Sequence, residues 1–317
     1  MNVQAMQEAT RDAVKTKFHG KRYLVSRSPM KYPQHLERDY TRITNAYMGL
    51  LNDTLREYIP EIKALLDDYR DEAANADRTD AKGKNGDWQE FSRMLRRVLE
   101  RAEVDLKKKT ASFDLVRRLN DLENRSRKYS IREWKRVVRQ TLGVNIFDDY
   151  YNGNYFREGA REWVLQNVDL ITTIPHETLK RMSNIISGGH YSGKTNAEIA
   201  RQIQVSYNVS KSRARFIARD QMAKLNAQIT QKQQADAGVS EYIWRTVGDG
   251  RVRESHHHLN NRRFKYSDPP VVDPKTGRRA NPGEDYQCRC VALPVFDIDN
   301  LVLPWEAENK KELRKAG

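Results

Sequence analysis

The sequence predicts a mainly α fold: long amphipathic helices with a small, loop-rich α+β module near the carboxyl end. Two observations support this fold class. Apolar residues recur at helical spacing through most of the first 240 residues. The stretch from 244 to 296 then loses that period and contains both cysteines and a run of three histidines. Ordering a long polar loop costs entropy, so such a stretch typically serves a site or an interface.

The composition argues against one thick globular core. Apolar residues make up 38% of the 317 residues and charged residues 32%, with a mean hydropathy of −0.87. Thin cores between extended helical layers fit these values. The formal net charge of +14 attracts nucleic acid or an acidic protein surface without specifying either. We expect most of this charge on solvated helix faces.

Leader, membrane and disulfide patterns are not found in the sequence. The amino terminus lacks the apolar stretch of a signal peptide, and no run of eighteen apolar residues exists anywhere. We therefore expect neither a signal peptide nor a membrane span. Two cysteines one residue apart make no disulfide framework, which fits a reducing compartment.

The first 150 residues are predicted to form an arm and a helical domain. Residues 1–33 place glycine and prolines among basic residues, which predicts a flexible arm. The helical domain spans 34–150, and Pro60 begins a new helix there because proline cannot continue a helical hydrogen-bond ladder. Residues 71–87 have little to bury beyond alanines and are predicted to form a linker or mobile loop. A capping-box pattern at Ser130-Ile-Arg-Glu133 predicts another helix start.

A second helical domain is predicted over 151–240. Pro175 is placed where one helix begins, and Gly188-Gly189 are expected to end it. Thr195-Asn-Ala-Glu198 is a second capping box, so a short helix should begin there. Ser210 is then expected to cap the following helix.

The α+β module is predicted over 241–297, and residues 298–317 form a tail. Two segments border the module, 241–247 and 287–296, and both have the composition of strands. We expect them to pair as the two sides of a small sheet around the polar loop.

One pattern of spaced residues runs through the module. It consists of Trp244, then Asp249-x-Arg251-x-Arg253-x-x-His256-x-x-Leu259, then Pro282-Gly283-x-Asp285-x-x-Cys288-Arg289-Cys290. This pattern resembles the signature of the phage Mu F-like head-morphogenesis proteins, which are minor head proteins of tailed bacteriophages. The helix from Arg213 to Asn226 is similar to the family's preceding helix, although Asp220-Gln221 departs from the usual Thr-Glu. The likeness is clear over about 210–297, fades over 156–209, and does not extend into 1–150.

The resemblance implies a structural protein that is not an enzyme. Such a protein is made in the host cytoplasm and carried into the virion, inside the head near the portal. The resemblance implies binding to the portal protein, or to the major capsid or scaffold protein, during head assembly, with a part in DNA packaging or ejection. The positive charge fits nonspecific contact with packaged DNA. The long helices of 34–142 are candidates for docking to other head proteins.

We interpret the charged residues of the pattern as scaffold. Asp249 can hold a tight turn with its neighbouring glycines, while Arg251 and Arg253 can fork onto carboxylates or turn carbonyls. The resemblance implies that these residues, with His256, Arg289 and the cysteines, define the family's module. Such bonds would hold together a module that lacks a large hydrophobic core.

The cysteines and histidines also allow a metal site. Cys288 and Cys290, with His256 or His258, are the ligand types that zinc prefers. However, C-x-C is a weaker pattern than C-x-x-C, and placing both sulfurs on one ion needs a bent backbone. The favoured interpretation is that both thiols pack as small apolar groups. We therefore expect no cofactor, with zinc as the alternative.

Other functions compete with the structural one. The segment Gly188-Gly-His-Tyr-Ser-Gly193-Lys194-Thr195 matches the phosphate-loop pattern. Because a helix rather than a buried strand is predicted before it, we interpret this match as chance and expect no nucleotide binding. The histidine run also fits a metal-dependent nuclease, but the sequence has no pair of carboxylates at a spacing that indicates such a site. The basic helices fit a sequence-independent DNA-binding protein as a further alternative.

Overall fold

The computed structural model describes residues 3–76, 84–145, 157–192 and 194–302. These residues confirm a mainly α fold with a small C-terminal module that contains strands. The helices are α1 (Val3–Lys17), α2 (Gln34–Ala76), α3 (Lys84–Ser112), α4 (Leu115–Leu142), α5 (Arg157–Tyr191), α6 (Asn196–Asp236) and α7 (Glu254–His257). The strands are β1 (Tyr23–Val25), β2 (Glu241–Arg245), β3 (Arg263–Lys265), β4 (Val271–Asp273), β5 (Arg278–Arg279) and β6 (Val291–Asp297), and a 3-10 helix covers Ile298–Asn300.

The chain divides into two compact units, each assembled from separate stretches of sequence. The first unit comprises Met1–Arg38, Asn120–Val164 and Arg219–Gly317, and the second comprises Asp39–Leu119 and Leu165–Ala218. This division differs from the five consecutive segments expected from the sequence. The difference arises because each unit packs helices that lie far apart in the chain, which local patterns do not reveal.

The second unit has a core of aliphatic and aromatic side chains from α2, α3, α5 and α6. Its members include Met48, Leu51, Leu55, Ile62, Leu95, Leu106, Ile174, Leu179, Ile186 and Ala214. Pro60 lies inside α2 and Pro175 inside α5, so neither proline begins a helix as predicted. Buried side chains on both sides of each proline belong to this one core, and their burial offsets the lost backbone hydrogen bond.

Two other predicted helix boundaries in this unit are wrong, and one is confirmed. Gly188 and Gly189 remain within α5. Ser210 lies inside α6, where its buried hydroxyl donates to the Ser206 carbonyl and accepts from the Thr178 hydroxyl. The capping box before α6 is present: the Thr195 amide donates to Glu198 Oε2 at 2.7 Å, and the Glu198 amide donates to Thr195 Oγ1 at 3.2 Å.

The predicted loop over 71–87 is partly helical. Helix α2 continues to Ala76 and α3 begins at Lys84. Residues 77–83 lie outside the described residues. In the described ranges, no helix combines the length and the apolar character needed to cross a membrane.

In the first unit, the predicted flexible arm instead forms a helix and a strand. Val14 of α1 is fully buried in a core with Trp134, Val138, Leu142 and Phe296. Strand β1 pairs antiparallel with β6, with Leu24 opposite Phe296. The glycine and prolines of this segment suggested flexibility. Burial of one face of α1 and the backbone pairing of β1 order it instead. Ser130, predicted to start a helix, lies inside α4 and donates to Gln233 Oε1 at 2.8 Å.

The module is built on an antiparallel sheet with strand order β1-β6-β2-β3. The predicted pairing of its two bordering segments is confirmed, because Trp244 of β2 lies opposite Ala292 of β6. Strand β6 begins at Val291, after both cysteines. Strands β4 and β5 form a separate two-stranded ribbon within the loop between β3 and β6. The predicted tail begins with the 3-10 helix, and residues 303–317 lie outside the described residues.

Candidate functional site

The spaced residues converge on one side of the β2–β6 pair. Trp244 is fully buried on β2, and Leu259 packs in the same apolar cluster. The four-residue helix α7 follows the turn after β2 and places His256 against Trp244, with ring centroids 5.4 Å apart at 88°. The segment from 280 to 290 leads into β6 and brings Asp285 and both cysteines next to His256.

Asp285 is the buried centre of an ion-pair network. Its side chain has no solvent exposure, and its Oδ2 accepts from Arg253 Nη1. Arg278 Nη2 lies 2.9 Å from the other carboxylate oxygen, and His256 Nε2 lies 3.3 Å from Oδ2. A buried carboxylate is costly unless it is paired and hydrogen-bonded. Ion pairs with Arg253 and Arg278 and the hydrogen bond at Oδ2 offset this cost, while Oδ1 is paired by charge without a hydrogen bond; together the partners connect α7, β5 and the 280–290 segment.

His256, Cys288 and Cys290 form a tight cluster beside this carboxylate. All three side chains are buried, and their ligand-type atoms lie within 4.8 Å of one another. His256 Nδ1 lies 3.6 Å from the sulfur of each cysteine, and neither cysteine is in a disulfide. The hydrogen bond from Cys290 lowers the pKa of the Cys288 thiol, and the same contact raises the pKa of Cys290.

The other histidines of the run lie outside the cluster. His257 and His258 are exposed. His258 Nε2 is 3.9 Å from Glu254 Oε1, one helical turn away. The structure thus brings together three of the four predicted metal-ligand candidates and excludes His258, because successive helical residues point in different directions.

Asp249 and Arg289 make a second charged contact across the module. Arg289 Nη1 and Nη2 donate to the two Asp249 oxygens at 2.7 and 2.5 Å. The side chain and the amide of Arg251 also donate to Asp249, at 3.1 and 3.2 Å. The guanidinium of Arg289 holds the pKa of Asp249 well below its usual range. This two-pronged contact ties the turn after β2 to the segment that carries both cysteines.

Gly283 fits a position that only glycine fills without strain. Its φ is +89°, and a β-carbon built there would lie 2.9 Å from the Ala227 β-carbon on α6. The preceding Pro282 lines a small cavity, of about 30 Å³, that also touches Cys288 and Cys290. Such a volume holds about one water molecule.

Sequence reasoning missed three residues that support this site. Asp220 on α6 is buried and its Oδ1 accepts from the Gln287 amide at 2.7 Å, where the backbone has a φ of +51°. Asn281 Oδ1 accepts from the Tyr242 hydroxyl at 3.0 Å, and Arg278 pairs with Asp285. The only indication in the sequence was Asp220 itself, where the chain departs from the family's usual Thr-Glu.

The phosphate-loop-like segment begins inside helix α5, which ends at Tyr191, and does not follow a strand. The Ser192 hydroxyl donates to the Gly188 carbonyl at 2.8 Å, and the Lys194 amide donates to the Gly189 carbonyl at 2.9 Å. Thr195 caps α6, as described above, and Gly193 lies outside the described residues. These groups make hydrogen bonds within the α5–α6 turn. That the match to the phosphate-loop pattern is due to chance stays a prediction.

Comparison with known proteins finds a similarity over this region. Residues 181–293 match the family model described as Phage Mu protein F like protein, and that range contains every spaced residue of the module. An uncharacterized protein of Haemophilus influenzae is 31% identical over 166 residues, which cover 52% of this chain and 36% of that relative. No solved structure matches. The resemblance predicted from the sequence is confirmed: the chain carries, over residues 181–293, a phage Mu protein F-like region.

Proposed function

We propose that the protein is a minor head component of a tailed bacteriophage and that it binds the portal or inner capsid during head assembly. The family match over 181–293 carries this proposal. The match to a head-morphogenesis family supports a structural role within the virion, and we propose that the protein is not an enzyme. The chain spans only about a third of the relative's length, so the proposal concerns this chain alone.

The internal pairing of the spaced residues supports a structural role. Asp249 is bonded to Arg289, and Asp285 is bonded to Arg253 and Arg278. These opposite charges pair with one another across the loops, as expected of residues that hold a loop-rich module in one conformation. The cavity beside the cysteines has room for about one water, which is far below the several hundred Å³ of a usual ligand pocket.

Helix α6 offers a surface for docking to another head protein. Val205, Val209 and Phe216 are 57%, 61% and 50% exposed. Their spacing of four and seven residues places them on one helix face, which we call the α6 stripe. Single exposed apolar residues are ordinary, whereas a row of them along one helix is typical of a helix that packs against a partner. We propose the α6 stripe as the contact with the portal or capsid protein.

Co-expression with the portal and major capsid proteins of the same phage tests this function. We expect the tagged chain to capture one of them. The double substitution Val205→Asp and Val209→Asp should weaken capture at least about tenfold, because charges replace apolar contacts at the interface. The control is Leu165→Asp, which changes an apolar side chain of similar exposure, 59%, on α5, outside the helices of 34–142, and should leave capture intact.

The outcomes separate the two parts of the proposal. Capture of neither head protein by the wild-type chain would refute the head-assembly role. Equal capture by the wild type and the α6 variant would refute the stripe alone. Circular dichroism of both variants must match the wild type, so that lost capture reflects the surface and not unfolding.

A further inference from the structure

The cluster of His256, Cys288 and Cys290 has distances that suit a shared metal ion. Zinc has bonds of about 2.3 Å to sulfur and about 2.05 Å to nitrogen, and at the tetrahedral angle these place sulfur and nitrogen about 3.6 Å apart. His256 Nδ1 lies 3.6 Å from both sulfurs. Because Nδ1 has a single lone pair, it can accept only one thiol hydrogen bond, so a hydrogen bond explains one of these distances and not both.

The surroundings of His256 set the tautomer that a metal needs. Its Nε2 faces the buried Asp285 carboxylate at 3.3 Å. A proton on Nε2 can be donated to that carboxylate, and the Nδ1 lone pair then points toward the sulfurs. Zinc-bound histidines characteristically donate their other ring N–H to a carboxylate in this way.

The two cysteines lie in a segment that is not part of a strand, which suits a C-x-C site. Gln287 has a φ of +51°, and its amide donates to the buried Asp220 carboxylate at 2.7 Å. Both cysteines follow this residue and precede the extended strand, which begins at Val291. This geometry removes the main objection to a C-x-C metal site, which is that an extended strand holds both sulfurs poorly on one ion.

We propose that His256, Cys288 and Cys290 bind one zinc ion that stabilises the module. The two thiols lose their protons on binding, and two thiolates with a neutral imidazole balance the ion's charge within a buried site. A water molecule completes the tetrahedron, and the 30 Å³ cavity that touches both cysteines has room for it. The ion joins α7 to the segment before β6. This proposal is independent of the head-assembly role.

Elemental analysis of the purified chain tests the site directly. We expect one zinc per chain after expression with zinc, purification under reductant and gel filtration. Cys288→Ser, Cys290→Ser and His256→Ala should each lose the ion. His257→Ala and His258→Ala are matched controls on the same histidine run, and both should retain it because their side chains lie outside the cluster.

Two measurements on folded protein guard against variants that fail to fold. Wild-type chain stripped by a chelator should regain thermal stability when zinc is returned, and cobalt in place of zinc should give thiolate-to-cobalt charge-transfer absorption.

Asp285→Asn should weaken zinc affinity roughly 10- to 100-fold in competition with a chromophoric chelator, because that carboxylate orients His256.

Absence of zinc would overturn the proposal under defined conditions. The contradicting result is a wild-type chain that stays free of zinc after incubation with zinc chloride. Titration of both thiols after denaturation must show that the chain was reduced. Zinc content unchanged by Cys288→Ser or by His256→Ala would overturn it equally.

Discussion

At the scale of single residues, the module is held by a few side chains with several partners each. Asp285 joins Arg253, Arg278 and His256 through one buried carboxylate. The sequence predicted the residue types of this network and left their pairing open, since partners 32 residues apart are set by tertiary packing. Arg278 could not be found at all, because nothing distinguishes it locally from other charged residues, and Asp220 was marked only by its departure from the family's usual Thr-Glu.

Gly283 gives the sharpest test at this scale. We expect Gly283→Ala to destabilise the fold through its positive φ and through overlap with Ala227. Gly277→Ala is the matched control, with a φ of +70° and open space around the site. Because both variants strain φ, the extra loss in Gly283→Ala measures the overlap, and overpacking typically costs about 1–3 kcal/mol. Urea unfolding measures the free energy of unfolding of both variants. Equal losses of stability would contradict the close approach of Gly283 to α6.

At the scale of elements, helix periodicity was predictable and helix boundaries were not. Pro60, Pro175, Ser130 and Ser210 all carry local patterns of a boundary, yet each lies inside a continuous helix. In each case side chains both before and after the position are buried, so packing outweighs a local preference of at most about 3 kcal/mol. The strand pair β2–β6 was predictable because its composition and its spacing around the loop agree.

An aromatic pair contributes to the packing of helix α4 against the sheet. Trp134 is fully buried and stacks on Phe296 of β6, with centroids 5.7 Å apart and planes at 22°. We expect Trp134→Ala to lower the free energy of unfolding by about 3–5 kcal/mol, because a large buried ring is lost and a cavity remains.

A control on the same helix checks that this loss comes from the buried pair. Val116→Ala alters an α4 side chain that is 48% exposed, and the change should stay within about 0.5 kcal/mol. Denaturant unfolding followed by circular dichroism measures both variants. A loss below 1 kcal/mol for Trp134→Ala would show that the aromatic pair does not anchor the helix.

At the scale of the whole molecule, the net charge of +14 is the property most relevant to a place beside packaged DNA. We expect the chain to bind two duplexes of unrelated sequence with equal affinity. Affinity should fall at least about tenfold between 50 and 200 mM salt, because binding releases counterions from the phosphates. Fluorescence anisotropy across that range measures this. Binding that prefers one duplex, or that ignores salt, would contradict a purely electrostatic contact.

The pairing of β1 with β6 bears on any attempt to isolate the family region. The matched range ends at 293, but β6 continues to Asp297 and its outer side is covered by Tyr23–Val25 from the beginning of the chain. A fragment cut at the family limits would truncate the central strand and leave its backbone donors and acceptors open to other chains, which favours aggregation. The smallest workable piece of this protein therefore has to bring its first 25 residues along with the whole of β6.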